Sequence, residues 1–205
     1  MNPIRLYRFA LSGHSHRAEL MLSLLGLPYE PVDIDLPARE QKTPEFLRKN
    51  PRGQVPVIED GGALIADSNA ILVYLATRYD ASGRWYPREA AAAARIQQWL
   101  SLAAGPLAFG AAAARVHKVF GVALDYQRAC AIAGELLDYM EPHLERREFL
   151  VSEHPTIADI AMYTYTAHVP EGGVSLVPRA AIRAWLERIE ALPRFVPMRK
   201  TPLAA

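Results

Sequence analysis

Strand-like patterning ends near residue 87 and does not return, and this change of period most constrains how the chain can fold. Before that point, short runs of β-formers alternate with helical runs. Ile4, Leu6, Tyr7 and Phe9 supply a first strand. Leu20, Met21, Leu24 and Leu25 then recur at helical spacing until Gly26 stops the run. Residues 28–36 read as a second strand with Tyr29, Val32 and Ile34 as its apolar positions, and a helix between two such strands makes a right-handed βαβ unit. Thr43 can cap a short helix that starts at Pro44, carries Phe46 and Leu47, and ends at Asn50-Pro51. Residues 53–60 predict a third strand, Asp60-Gly61-Gly62 a tight turn, and Ala63-Leu64-Ile65 the returning partner. Asp67-Ser68 opens another helix with Ala70, Ile71, Tyr74 and Leu75 on one face. The order is β-α-β-α-β-β-α.

After a break over residues 81–87, the remaining patterns are all helical. Residues 89 to about 120 form a long alanine-rich run, with a kink or register shift expected at Gly105-Pro106. Residues 122–149 follow, with Leu136, Leu137, Met140 and Leu144 on the buried face, then 156–168 and 178–192. Thr156-x-x-Asp159 ahead of an apolar run predicts a capping box that starts the third of these helices. The expected organisation is an α/β domain over residues 1–80, a linker over 81–88 and an all-helical domain over 89–205.

Composition narrows the class of partner. A formal net charge of +1, with arginines scattered along the chain, gives no reason to expect nucleic acid or an anionic membrane. With 51% hydrophobic and 22% charged residues the chain reads as an ordinary globular protein. No basic leader followed by an apolar core opens it, and no uninterrupted apolar run reaches membrane-spanning length. Cys130 is the only cysteine, which excludes an internal disulfide, a Cys-x-x-Cys redox pair and a cysteine-based zinc cluster. It is expected as a small core residue. A reducing, cytoplasmic compartment is the expected setting. No His-x-x-x-His pair or metal triad stands out, so no metal is expected.

Three short stretches carry chemistry. A strand that runs straight into a helix places the turn Ser12-Gly13-His14-Ser15-His16 at a helix N-terminus, where unpaired N–H groups favour an anion. A hydroxyl there can bond a thiolate, phosphate or carboxylate, or Ser12 or Ser15 can simply cap the helix. His14 and His16 could carry protons or be neutral loop residues. Val55-Pro56 sits inside a strand pattern, where proline belongs on an edge, at a bulge or in a cis turn. A cis bond would leave the Val55 backbone facing an open edge, to which a short extended peptide could pair. At Asp67-Ser68 a helix N-terminus and a hydroxyl suit a carboxylate, while the Asp67 carboxylate suits an ammonium, although either residue could be no more than a cap.

Together these stretches resemble the soluble glutathione S-transferase superfamily, over nearly the whole chain. The resemblance lies in the strand-turn-helix with Ser12 and Arg17, in Asn50-Pro51-x-Gly53-Gln54-Val55-Pro56, in Asp67-Ser68-x-Ala70-Ile71-x-x-Tyr74-Leu75, and in Pro155-Thr156-Ile157-Ala158-Asp159-Ile160. It implies a thioredoxin-like N-terminal domain that binds glutathione as co-substrate. It also implies a C-terminal helical bundle that helps form a pocket for a small, apolar electrophile. Ser12, with Ser15 as its rival, would stabilise the glutathione thiolate. Val55 would pair with the cysteinyl backbone beside a cis Pro56, Gln54 would touch glutathione, and Asp67 and Ser68 would hold its γ-glutamyl end. Leu11, Phe109, Arg115 and Tyr163 are candidate walls of the second pocket. A homodimer is implied as well.

The sequence also departs from some members. Serine stands where relatives that reduce glutathione mixed disulfides carry cysteine, and Gly13 follows Ser12 where the maleylacetoacetate-isomerase class has a second serine. The pattern is most similar to bacterial serine-type transferases. Glutathione-dependent disulfide reduction and non-catalytic glutathione binding on the same fold are the alternatives.

Overall fold

The computed structural model describes residues 3–201. Two compact units divide the described residues: those up to Gly83 together with Pro193–Arg199, and Arg84–Leu192 together with residues 200–201.

In the first unit, β1 (Ile4–Arg8) pairs in parallel with β2 (Tyr29–Asp33) and antiparallel with β3 (Val57–Asp60), which pairs antiparallel with β4 (Ala63–Ala66). The strand order is β2-β1-β3-β4. Ile4 and Leu6 are buried on one face of β1 and Tyr7 on the other, as expected of an inner strand covered on both sides. Tyr7 packs with Ile34, Phe46 and Val57, so the short helix α2 (Pro44–Lys49) is anchored through Phe46. Helix α1 (Gly13–Leu24) runs between β1 and β2 and buries Leu20, Met21 and Leu22. Helix α3 (Ser68–Tyr79) packs on α1 and buries Ile71, Leu72 and Leu75. Each such side chain contributes about 1.5–3 kcal/mol of burial free energy.

The expected order β-α-β-α-β-β-α is present. The third strand is shorter than the 53–60 pattern predicts, because the Val55–Pro56 bond is cis and the ladder begins only at Val57. Thr43 caps α2 by accepting from the Phe46 N–H, with Pro44 at the first helical position, as the sequence predicts. A 3-10 turn at Glu40–Lys42 has no periodic signal. The segment Pro193–Arg199 joins this unit, held where Ser23 Oγ donates to the Arg194 carbonyl at 2.7 Å and where His16 Nε2 lies 2.8 Å from the Val196 carbonyl. Residues at the end of the chain are thus not all part of the helical unit, a tertiary contact that local pattern could not signal.

The second unit is built from α4 (Ala90–Ala104), α5 (Ala113–Phe120), α6 (Tyr126–Leu144), α7 (Ile157–Ala167) and α8 (Ala180–Glu190). The expected interruption at Gly105-Pro106 is a break followed by a π turn at Ala108–Ala112. That turn approaches α6 so closely that a Cβ on Gly110 would stand 2.6 Å from the Ala133 backbone nitrogen, so only glycine fits. Helix α6 starts later than the 122–149 pattern, because Asp125 accepts from the Arg128 N–H and sets the first turn. By length and composition Ala90–Phe120, 31 residues with a mean hydropathy of 1.2 in one window, is apolar enough to cross a bilayer, although Arg95, Gln97 and Arg115 interrupt its apolar run. Half of that window is buried in the folded chain, where α4 packs on α7. Cys130, expected in the core, is partly exposed.

The capping box at Thr156 and Asp159 is formed, and it reaches beyond helix initiation. Asp159 is fully buried and accepts from the Thr156 N–H at 2.8 Å, the Thr156 hydroxyl at 3.1 Å, the Leu150 N–H at 2.9 Å and Trp185 Nε1 at 3.0 Å. One carboxylate therefore ties the start of α7 to α8 and to the preceding loop. Asp159→Ala leaves these buried donors without an acceptor, and the expected loss is about 3 kcal/mol or more. The check is a lower urea midpoint of the helical unit by tryptophan fluorescence; an unchanged midpoint contradicts it.

Candidate functional site

The N-terminus of α1 is set by Ser12, whose extended backbone and Oγ accepting from the Ser15 N–H at 3.3 Å make it the N-cap. Ser12 lines a cavity of about 460 Å³ whose walls all come from the first unit. Ser15 is 1% exposed, and its Oγ accepts from the Phe9 N–H at 3.2 Å. The two serines thus differ in place: one faces the cavity and the other fastens the turn.

Opposite this turn, the segment Asn50–Pro56 forms another wall. Asn50, 5% exposed, donates through Nδ2 to the Gln54 carbonyl at 2.8 Å and accepts at Oδ1 from the Arg52 N–H at 3.1 Å. Gly53 has φ +60°, and a Cβ there would stand 2.7 Å from the Gln41 carbonyl, so glycine is required. These constraints explain the spacing Asn-Pro-x-Gly-Gln-Val-Pro: the amide clamps the loop and the glycine reverses it. They present Gln54, Val55 and the cis Pro56 to the cavity. Among the described residues, no hydrogen bond between backbone groups engages the N–H or carbonyl of Val55.

Asp67 and Ser68 close the same cavity at the start of α3. Asp67 has φ 75° and caps α3 through Oδ1, which accepts from the Asn69 N–H at 2.9 Å and the Ala70 N–H at 3.0 Å. Buried Ser68 lies against α1: its Oγ is 3.1 Å from His14 Nδ1 and accepts from Arg17 Nη1 at 3.1 Å. The structure therefore brings Ser12, Gln54, Val55, Pro56, Asp67 and Ser68 around one space. His14, Lys42, Asn50 and Arg52 join them. In sequence His14 stands as a proton carrier or a neutral loop residue, and lysine and arginine in a loop give no signal by themselves.

The candidate walls of a second pocket lie elsewhere. Leu11 is in the turn before α1, partly exposed. Phe109 is 67% exposed on the π turn of the helical unit. Arg115 and Tyr163 are interior residues of that unit rather than open walls. Arg115 is 1% exposed, with Nε donating to Glu171 at 2.7 Å, and Glu171 also meets His168 Nδ1 at 2.6 Å. The buried Tyr163 hydroxyl donates to Glu190 at 2.9 Å, and burial raises its pKa. An arginine and a tyrosine in apolar helices look like ligand contacts in sequence; here internal carboxylates take them up. Among the described residues no group of three or more His, Cys, Asp and Glu side chains is placed to hold a metal ion.

A thioredoxin-like unit with a cis-proline loop facing a helix N-terminus, joined to a helical unit, defines a class, and comparison with known proteins agrees. Residues 2–77 match the family described as glutathione S-transferase, N-terminal domain, and residues 115–193 match glutathione S-transferase, C-terminal domain. Glutathione S-transferase 3 of Zea mays is 31% identical over 95% of this chain and 92% of its own. Glutathione S-transferase theta-1 of Rattus norvegicus is 30% identical, over 92% of this chain and 82% of its own. Among solved structures, a glutathione S-transferase from Pseudomonas fluorescens superposes with a TM-score of 0.90 at 35% identity, over 96% of this chain and 99% of that one. A glutathione transferase homologue from Drosophila mojavensis with bound glutathione gives 0.86 at 28% identity, over 94% and 90% of the two chains. The chain belongs to the glutathione S-transferase family.

His14 gives the site a pH signature. Burial first, and then the neighbouring Arg17 cation, push its pKa down to about 3 from the ordinary 6.5. Between those values the unfolded chain binds a proton that the folded chain refuses, so stability falls as pH drops from about 6.5 toward 3 and does not change through this group above it. His14→Gln removes that contribution. The expected result is a gap between wild-type and variant urea midpoints that changes below pH 6.5 and is constant above it; parallel profiles down to about pH 3 contradict it.

Proposed function

We propose that the cavity of the first unit binds glutathione and that the protein conjugates its thiolate to a small, apolar electrophile. The observation that carries this is the gathering, in one space, of groups complementary to each part of the tripeptide. Val55 offers a backbone N–H and carbonyl for the extended cysteinyl residue, as an added strand. Asp67 suits the γ-glutamyl ammonium and Ser68, at the head of α3, its carboxylate. Lys42 and Arg52 supply cations for the glycyl carboxylate, and Gln54 an amide between them. Ser12 takes the sulfur, at the N-terminus of α1 and in the wall of the same cavity as Val55. The reaction follows from the thiolate: sulfur forms a bond to the electrophilic carbon, and the leaving group departs or a proton is added.

The energetics are sufficient without a general base. A free thiol with pKa near 8.5 is only ~3% thiolate at pH 7. Lowering that pKa by ~2 units gives about 25-fold more nucleophile and needs ~2.7 kcal/mol of preference for the charged form. A hydroxyl donating to a charged acceptor supplies roughly 1.5–3 kcal/mol, and the helix N-terminus ~0.3–1 more. The lower basicity of the sulfur offsets part of the gain. Ser15 is the rival for this role, but it is buried, 1% exposed, whereas Ser12 lines the cavity. The absence of a cysteine in the turn speaks against disulfide reduction through a protein thiol, and a single cysteine in the chain accords with a reducing, cytoplasmic setting.

The test is the thiolate absorbance of bound glutathione against pH, together with turnover of a panel of electrophiles. Ser12→Ala is expected to bind glutathione nearly as before, to raise its thiol pKa by one to two units, roughly the whole effect above, and to slow turnover about tenfold or more at pH 7, with partial recovery at higher pH. Ser15→Ala is expected to leave the titration unchanged. A shift in Ser15→Ala alone transfers the role to Ser15, and no turnover of any electrophile or disulfide by the wild type leaves a binding protein. A homodimer is also proposed, on the family resemblance; sedimentation at micromolar concentration is expected to give twice the 22.7 kDa chain mass, and a clean monomer mass contradicts it.

A further inference from the structure

Arg17 is a charged side chain with 0% exposure, held behind the wall of the cavity. A buried cation is costly, and its placement here is informative. Its Nη1 lies 3.1 Å from His14 Nδ1 and 3.1 Å from Ser68 Oγ, and both of those residues line the cavity. The two acceptor atoms are themselves 3.1 Å apart.

Hydrogen counting then orders the cluster. A guanidinium Nη1 carries two hydrogens and no lone pair, so it donates to both neighbours at once. His14 Nδ1 must accept, which puts the proton of the neutral ring on Nε2. A protonated ring would set N–H against N–H, and burial together with the Arg17 charge holds His14 neutral. Ser68 Oγ must accept as well, and its one hydroxyl hydrogen is left over. With the cavity empty that hydrogen can turn to His14 Nδ1. When an acceptor enters, it can turn away without stripping Nδ1, because Nη1 already satisfies it.

We propose that Arg17 is a positioning residue that makes Ser68 a dedicated hydrogen-bond donor to a carboxylate in the cavity, and that His14, fixed as the Nε2–H tautomer, is the hinge of this arrangement. The carboxylate is the α-carboxylate of the γ-glutamyl group, so the inference rests on the transferase reading above. Ser68 is thereby polarised by a full positive charge one hydroxyl behind it, which strengthens a bond to an anion far more than one to a neutral group. Arg17 touches no substrate and acts only through Ser68 and His14.

The test is calorimetric binding of two ligands: glutathione, and an analogue in which a 4-aminobutanoyl group replaces the γ-glutamyl group and so lacks only the α-carboxylate. Arg17→Met is expected to weaken glutathione roughly tenfold or more and to change the analogue by less than about twofold, so that discrimination between them collapses. Arg17→Lys, which keeps the charge, is expected to recover part of the glutathione affinity. Equal weakening of both ligands means that Arg17 only supports the fold, and overturns the proposal. Nitrogen-15 NMR of the wild type gives a second reading that needs no stable variant: His14 is expected as the neutral Nε2–H tautomer between pH 5 and 8. An Nδ1–H tautomer or an imidazolium there overturns the proposal even if Arg17→Met does not fold. A wild type that binds neither ligand fails the transferase reading itself, an outcome distinct from equal loss in the variant.

Discussion

The first unit depends on the pairing of β1 on both its edges. The parallel ladder to β2 brings Tyr7 opposite Val32, and the antiparallel ladder to β3 brings it opposite Val57. With both edges hydrogen-bonded and both faces covered, the end of β1 has little freedom. The chain leaves it through Phe9 and reaches the Ser12 cap within a few residues, where the Ser12 N–H bonds the Phe9 carbonyl at 2.9 Å. The position of the α1 N-terminus therefore follows from the sheet. The Pro56 loop feeds β3, the other neighbour of β1, so both walls of the cavity hang from one strand.

Polar burial does a different job from apolar burial here. Apolar side chains make each unit compact, yet many exchanges of similar volume would do that. Asp159 has directional partners on the preceding loop, α7 and α8, and Asn50 has them at Arg52 and Gln54 of the turn that it opens. Each such group is expensive unless every partner is in place, so each selects one arrangement over near alternatives. Arg115 and Glu171 do the same inside the helical unit, where Glu171 also accepts from the Thr201 hydroxyl at 2.5 Å. Arg17 belongs with them in cost, but its partners line the cavity, which gives its burial a chemical consequence.

Much of the first unit was legible in the sequence because its signals are local. Period, proline and glycine placement and caps such as Thr43 and Asp67 act within a few residues, and they mark the strands, the helices and the stretches around Ser12, Val55-Pro56 and Asp67-Ser68. The switch to helical period after the break marks the second unit in the same way. What tertiary structure alone decided involves partners far apart in the chain. Sequence put Ser12 ahead of Ser15 on resemblance alone; the fold sets Ser12 in the wall of the cavity and buries Ser15 in the turn. It offered Arg115 and Tyr163 as pocket walls, and Glu171 and Glu190 hold them inside the helical unit. It placed His14 and Arg17 in one turn of helix, and Ser68, 51 residues beyond Arg17, makes them a cluster. The physical reason is that periodicity reports which face of an element is buried, whereas the side chain that meets a buried polar atom is set only when separate elements pack.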